Sequence, residues 1–257
     1  MANDSGRGRF VWYDLRTTDQ AGAQAFYTAV VGWGTEVWNG MGLPYTMWTV
    51  GGRTIGGMMQ LPPAATARGT PAHWLAYIGT PNVDATSKQA VSLGAVLVMP
   101  PTAIAPIGKF SVLRDPAGAI FAMFTPEGNG LPEPAAPGVG HFSWHELATR
   151  DVDAAFDFYQ ALFGWEKDRD MDMGAMGTYR LFRRDGAQLG GMYKISPQFN
   201  MPPSWTQYIH VADIEATAAS IPEHGGTVVL PPNDVPGHGR ILMASDPQGG
   251  FFAAHQP

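Results

Sequence analysis

The chain has 257 residues, of which 45% are hydrophobic and 15% charged, and a formal net charge of −6. That is enough apolar residue for a packed core and long enough for two ordinary domains; disorder is excluded by composition, and the acidic balance argues against nucleic acid or an anionic membrane as partner. With no cysteine there is no disulfide, thiolate or cysteine-ligated metal, and no window approaches a membrane span or a secretory leader, so the expectation is a cytoplasmic protein, monomeric or homodimeric.

Phe10 to Thr17 alternates as a strand does. Asp19 then stands as a helix N-cap, with Ala23, Phe26, Tyr27 and Val30 at helical spacing and Gly32 as the stop. Strands are expected around Tyr45–Val50 and Thr54–Gln60. A second unit opens with a strand at Trp74–Gly79 and a helix over roughly 83–93, ended by Gly94. Strands at Ala95–Met99, Phe110–Arg114 and Ile120–Phe124 close it. Beyond Gly140 the grammar starts again. Asp151 caps, Ala155, Phe158, Tyr159 and Leu162 form the stripe, Gly225 is the last stop, and Pro222 should shorten or kink the helix it falls in.

The repetition is explicit. Residues 10–36 align without gaps to 142–168, with eleven of 27 positions identical, including Trp12/Trp144, Asp19/Asp151, Phe26/Phe158, Tyr27/Tyr159 and Trp33/Trp165. Further matches follow in order: Ile55-Gly-Gly-Met58 with Leu189-Gly-Gly-Met192, Tyr77 with Tyr208, Pro100-Pro101 with Pro231-Pro232, and Asp115-Pro-Ala-Gly118 with Asp246-Pro-Gln-Gly249. Collinear matches down both halves mark an internal duplication. The organisation read from this is a first domain at 9–126, a Pro/Gly-rich linker at 127–140 and a second domain at 141–257.

The run W-x-(D/E)-L-x-T-x-D, followed by F-Y, G-W and a later D-P-x-G, resembles the vicinal oxygen chelate superfamily of glyoxalases, bleomycin-resistance proteins and extradiol dioxygenases. The resemblance spans nearly the whole chain from Phe10. It implies an α+β fold of four βαβββ modules, forming two glyoxalase-like half-barrel domains in tandem, each around a cavity. It also implies metal ligands on the opening and closing strands of the modules. Carried over residue by residue, those positions fall on Trp12 and Trp144, near Leu75 and Thr206, on Ala122 and Ala253, and near Met58 and Met192. None supplies a good donor, so no cofactor is expected at the family site. A displaced alternative in the second half, Glu146 with His210 and His255, has the two-histidine, one-carboxylate composition of non-haem iron sites and would take Fe, Zn, Ni or Mn.

Period-two alternation places Trp144 and Glu146 on one strand face, and Trp12 and Asp14 on the equivalent face. Asp14 and Glu146 are the candidate catalytic groups, since a carboxylate in an apolar pocket can serve as a base; the plainer role is to hold the sheet through hydrogen bonds. Tyr13 and His145 fall on the opposite, packing face. Trp12 and Trp144 are candidates to stack on a planar ligand. Tyr77, Tyr208 and His210 are the polar ligand-binding candidates, Met192 with Met58 an adaptable wall, and Arg240, like Lys109, a rim cation for an anionic group; a solvated loop charge is the plainer role for either. The function expected is binding of a small apolar or aromatic molecule in each half without the family metal. The alternatives are a metal-dependent glyoxalase-like lyase or dioxygenase, and a non-catalytic interaction protein with filled cavities. The halves diverge at Asp14/Glu146, Gly79/His210 and Phe124/His255, which favours the second as the functional one.

Overall fold

In the computed structural model, residues 6–40, 44–128, 138–174 and 177–257 are described; most of the proposed linker, 129–137, lies outside them. The first module comprises β1 (Phe10–Thr17), α1 (Gln20–Val31), β2 (Gly34–Trp38), β3 (Tyr45–Val50) and β4 (Arg53–Gln60). After a short helix, α2 (Pro63–Thr66), the second comprises β5 (His73–Gly79), α3 (Val83–Ser92), β6 (Val96–Ile104), β7 (Gly108–Arg114) and β8 (Ile120–Pro126). The third is β9 (Phe142–Thr149), α4 (Val152–Phe163), β10 (Glu166–Asp172), β11 (Thr178–Arg184) and β12 (Ala187–Lys194). The fourth is β13 (Ser204–His210), α5 (Ile214–Glu223), β14 (Thr227–Asp234), β15 (Arg240–Ser245) and β16 (Phe251–Gln256).

Helices α1 and α4 begin at the aspartates the sequence predicts, while the short α2 was not expected. The Asp19 carboxylate accepts from Gly22 N and that of Asp151 from Ala154 N. Gly32 and Gly164 end α1 and α4 in the left-handed region, at φ 74° and 68°, which a residue with a Cβ enters only at a cost. Pro222 sits in the last turn of α5, and the helix ends one residue after it, as expected of a residue that cannot continue the hydrogen-bond ladder. Strands β2 and β10 were not expected. Their sequences, GTEVW and EKDRDMD, are mostly exposed and carry no clear alternation. Among the described residues no helix is long and apolar enough to cross a membrane.

The strands form two eight-stranded mixed sheets, ordered β2-β3-β4-β1-β5-β8-β7-β6 and β10-β11-β12-β9-β13-β16-β15-β14. Within each module the first strand runs parallel to the last and the other pairings are antiparallel, as with β9 on β12 and β12 on β11. The fold is thus α+β, built from four βαβββ modules.

The chain groups into two units that do not follow its halves. One comprises Met1–Val11, Ala76–Pro134 and Trp144–Trp205; the other comprises Trp12–Leu75, Ala135–Ser143 and Thr206–Pro257. Each therefore combines a module from each half. In the unit carrying α1 and α5, Tyr27, Trp33, Trp48, Trp74, Phe142 and Phe252 pack ring on ring. In the unit carrying α3 and α4, Phe10, Phe121, Tyr159, Trp165, Phe182 and Trp205 do the same. Rings this size bury roughly 150–250 Å² each, so these clusters dominate both cores.

The motifs F-Y and D-P-x-G meet in these cores. Asp246 accepts from Gln248 N and Gly250 N through one oxygen, closing its own turn, and from the Tyr27 hydroxyl at 3.1 Å through the other. Tyr27 in turn accepts from the Trp74 indole at 2.8 Å. In the other unit Asp115 accepts from Gly118 N, Ala119 N and the Tyr159 hydroxyl, and Tyr159 accepts from Trp205. The repeated motif is therefore a buried Trp–Tyr–Asp relay that locks each closing turn to a helix from the other half.

Candidate functional site

The face of β1 that carries Trp12 and Asp14 is fixed by register. Asp14 lies beside Gly57 of β4, and Leu15 beside Met58. Leu15, Met58 and Trp48 are buried to within 1%, and Trp48 packs on Tyr27 of α1. That is the helix side. Trp12 and Asp14 occupy the other side.

There a three-residue network forms. The Trp12 indole N–H donates to the Tyr45 hydroxyl at 2.9 Å and to Asp14 Oδ1 at 3.1 Å. The Tyr45 hydroxyl donates to the same oxygen at 2.5 Å. Arg16 approaches Asp14 Oδ2 at 3.4 Å. In the second half the Trp144 indole donates to the Tyr179 hydroxyl at 2.9 Å, which donates to Glu146 Oε2 at 2.9 Å. Tyr193 joins this face as the cross-strand neighbour of Tyr179. Burial first, and then the Glu146 charge, hold Tyr179 well above the usual phenol range; the same two causes push Tyr193 up to about 12. Both hydroxyls thus stay protonated at neutral pH, and that of Tyr179 donates to Glu146.

Two glycines in each half make the network possible. A Cβ on Gly57 would run into the Tyr45 ring, and one on Gly191 into the Tyr179 ring, so each tyrosine crosses β4 or β12 over a bare backbone. A Cβ on Gly56 or Gly190 would strike the carbonyl oxygen of Tyr13 or His145 on the adjacent strand. The repeated Gly-Gly-Met thus has one glycine for close strand approach and one to admit the tyrosine. Tyr45, Tyr179 and Tyr193 were not singled out from sequence; the signal available was a tyrosine at the same offset before Gly-Gly in both halves.

The remaining candidates fare differently. Met192 is fully buried beside Leu147, on the helix side, and is no wall of the Trp144 face. The register that puts Glu146 next to Gly191 forces this, and Tyr193 holds the position expected of Met192. Arg240 is bonded to Glu215 at 2.6 Å and Asp234 at 3.0 Å, as Lys109 is to Asp84 at 2.8 Å. Each thus serves the first turn of the neighbouring helix instead of an anionic ligand. Tyr77 and Tyr208 are 6% and 2% exposed, the former against the Phe110 ring, so both offer little surface to a ligand. His145 stacks on Phe10 at 3.6 Å and meets the Leu189 carbonyl through Nδ1; burial drives its pKa down to about 3. Tyr13 stacks on Phe142. Both lie in the packing, as alternation predicts.

His210 and His255 are register partners on β13 and β16, with ring centroids 6.5 Å apart. His255 meets the His238 carbonyl through Nε2 and Ser143 Oγ through Nδ1, and burial lowers its pKa. Among the described residues no three histidine or carboxylate side chains come together as a metal requires. The displaced set Glu146, His210 and His255 is therefore corrected: Glu146 belongs to the Trp144–Tyr179 network and the two histidines to a separate strand pair.

The profile of the glyoxalase/bleomycin resistance protein/dioxygenase superfamily matches residues 138–252, and that of a glyoxalase-like domain matches 11–124. CFP32 of Mycobacterium tuberculosis, a glyoxylase by name, is 34% identical over 249 residues, covering 96% of this chain and 94% of that protein. The chain belongs to the glyoxalase/bleomycin resistance protein/dioxygenase superfamily. The anthracycline biosynthesis protein DnrV of Streptomyces peucetius is 30% identical over 260 residues, 96% of this chain and 92% of its own. Among solved structures, the 2,3-dioxygenase LapB of Pseudomonas sp. KL28 superposes with a TM-score of 0.65 at 11% identity, over 98% of this chain and 93% of its own. The Mn(II)-bound glyoxalase of Novosphingobium aromaticivorans gives 0.63 at 15%, over 98% and 82%. At such identities these structures speak to the fold alone, that of two tandem half-barrel domains.

The residues at the superfamily's metal positions do not fit a metal. The indole nitrogens of Trp12 and Trp144 carry hydrogen and only donate. Ala122 and Ala253 are fully buried and offer no donor, and Leu75 is apolar. Met58 and Met192 turn to the helix side.

Proposed function

We propose that the protein binds a small, largely apolar aromatic molecule on the Trp12 and Trp144 faces of its two sheets, without the superfamily's metal. The observation that carries this reading is the repeated Trp–Tyr–carboxylate network, which stands on the opening strands where the superfamily's ligand would be. Trp12, Tyr45, Trp144, Tyr179 and Tyr193 are half-buried, so ring surface stays accessible, while hydrogen bonds hold the polar atoms of Trp12, Tyr45, Trp144 and Tyr179 in place. Flat π-faces with few, fixed polar groups suit a planar apolar ligand. The name of DnrV, a protein of anthracycline biosynthesis, fits an aromatic polycycle as the ligand class.

Elemental mass spectrometry on untagged protein, followed by tryptophan-fluorescence titration with planar aromatics such as anthraquinones, tests this. Substoichiometric metal and saturable quenching, weakened about tenfold by Trp144→Ala, are expected. Near one equivalent of Fe, Ni, Zn or Mn that quenching depends on would overturn it. The second reading is glyoxalase-like chemistry with Glu146 or Asp14 as base, favoured by the glyoxylase name of a relative at 34% identity. Turnover lost in Glu146→Gln but retained in Tyr77→Phe would establish it.

A further inference from the structure

The halves differ in chemistry where β9, β13 and β16 lie side by side. At the positions of Val11, Ile107 and Phe124 in the first half, the second has Ser143, His238 and His255. These three polar residues fall in one unit of the fold. His255 stands on β16 between His210 of β13 and Ile241 of β15. Its Nε2 is 2.8 Å from the His238 carbonyl oxygen, and its Nδ1 is 3.3 Å from Ser143 Oγ.

These contacts fix the tautomer of the neutral ring. A carbonyl oxygen only accepts, so Nε2 carries the hydrogen and Nδ1 is left as an acceptor facing the serine hydroxyl. The other acceptor near that hydroxyl, the Tyr208 carbonyl, is farther off at 3.5 Å. The His238 carbonyl is itself placed by a turn, in which His238 N donates to Val235 O and Val235 N to Gly239 O, both at 2.8 Å. A hydroxyl, an imidazole lone pair turned to it and a fixed acceptor behind the imidazole make the sequence nucleophile, base and orienting group. Ser143 and His255 are half-buried, so the pair is shielded from bulk water without being sealed in the core. The fold does not require this polar chain: the first sheet has the same strand order with valine, isoleucine and phenylalanine at those positions, and apolar groups are cheaper to bury.

We propose that Ser143 and His255 form an acyl-transfer site for small aryl esters, in the second half alone, with Ser143 as nucleophile and His255 as base. Ser143 Oγ attacks the ester carbonyl carbon and passes its proton to His255 Nδ1. The bond from that carbon to the aryl oxygen breaks, and the proton leaves with the phenol. Water then attacks the acyl-serine with His255 again as base, releasing the carboxylic acid and restoring the hydroxyl. An aryl ester suits the pair because a phenol departs with little help from an acid, and His255 is the acid the pair supplies.

Full-length protein is incubated at about pH 8, where imidazole is neutral, with a fluorophosphonate and separately with p-nitrophenyl acetate. A single phosphonyl adduct on Ser143, located by peptide mass spectrometry, and release of p-nitrophenol above the buffer rate are expected. Ser143→Val and His255→Phe install the residues of the first half. The former should abolish the adduct, and the latter should slow its formation about a hundredfold, the scale of a general base. If His255→Phe fails to fold by circular dichroism, His255→Gln takes its place. A hydrogen bond with a structural role alone would leave Ser143 no more reactive than the other serines of the chain. No adduct, an adduct on another residue, or an unchanged labelling rate without His255 overturns the inference. The aromatic-ligand reading is unaffected by any of these outcomes, since tryptophan quenching by planar aromatics reads it separately.

Discussion

A single buried imidazole sets one stability property of this protein. His145 is 6% exposed and stacked on Phe10, and burial holds its pKa near 3 against an ordinary 6.5. Between those values the unfolded chain binds a proton that the folded one refuses, so stability is lost as pH falls below about 6.5 and the loss is complete near 3. The raised carboxyl groups of Asp115 and Asp246 act in the opposite direction above the ordinary carboxylate range, since the folded state then holds protons that the unfolded state releases. A comparison with His145→Tyr, the residue at the equivalent position 13, isolates the imidazole. The wild type should lose about 2 kcal/mol more than the variant between pH 7 and 5, read from urea midpoints at the two pH values. At the same scale, Gly57→Ala puts a Cβ into the Tyr45 ring and should cost about 1–3 kcal/mol; in a Tyr45→Ala background the cost should largely disappear, which a double-mutant cycle reads directly.

Elements are joined through the Trp–Tyr–Asp relays. Removing the Asp246 carboxylate strands the Gln248 and Gly250 N–H groups of its turn and the buried Tyr27 hydroxyl of α1. Asp246→Ala should therefore cost about 3 kcal/mol or more, against about 1 kcal/mol for Tyr27→Phe, which removes one partner and leaves the turn closed. Thermal melts of the two variants rank them, and the reverse order would assign the relay to the helix instead of the turn. The N-cap Asp151 is a smaller contributor: Asp151→Ala should cost about 1 kcal/mol in the same assay.

At the scale of the molecule, each unit draws one module from each half of the chain. Tyr27 finds its aspartate 219 residues away, and Phe26 packs on Phe252. A half expressed alone therefore lacks the partner surface of its two long helices, since α1 packs on α5 and α3 on α4. Residues 1–128 and 138–257, made separately, should show no cooperative unfolding by circular dichroism, and mixing them should restore it. A half that unfolds cooperatively by itself would show that its own sheet is sufficient.

The sequence by itself determined the duplication, the four modules, the helix caps at Asp19 and Asp151, and the superfamily, because these rest on local spacing and on motifs repeated in order. It also placed Trp12, Asp14, Trp144 and Glu146 on one kind of strand face, because alternation is a property of the backbone. Only the tertiary structure decided what those side chains meet. Tyr45 and Tyr179 reach the carboxylates from a strand two places away in the sheet, and they do so across a glycine whose necessity is steric. Register turned Met192 inward and brought Tyr193 to the site. Arg240 looked available to a ligand until the folded chain set Glu215 and Asp234 against it. Pairings of this kind depend on which strands lie side by side, and the order β10-β11-β12-β9 is fixed by packing across the whole sheet rather than by any one segment.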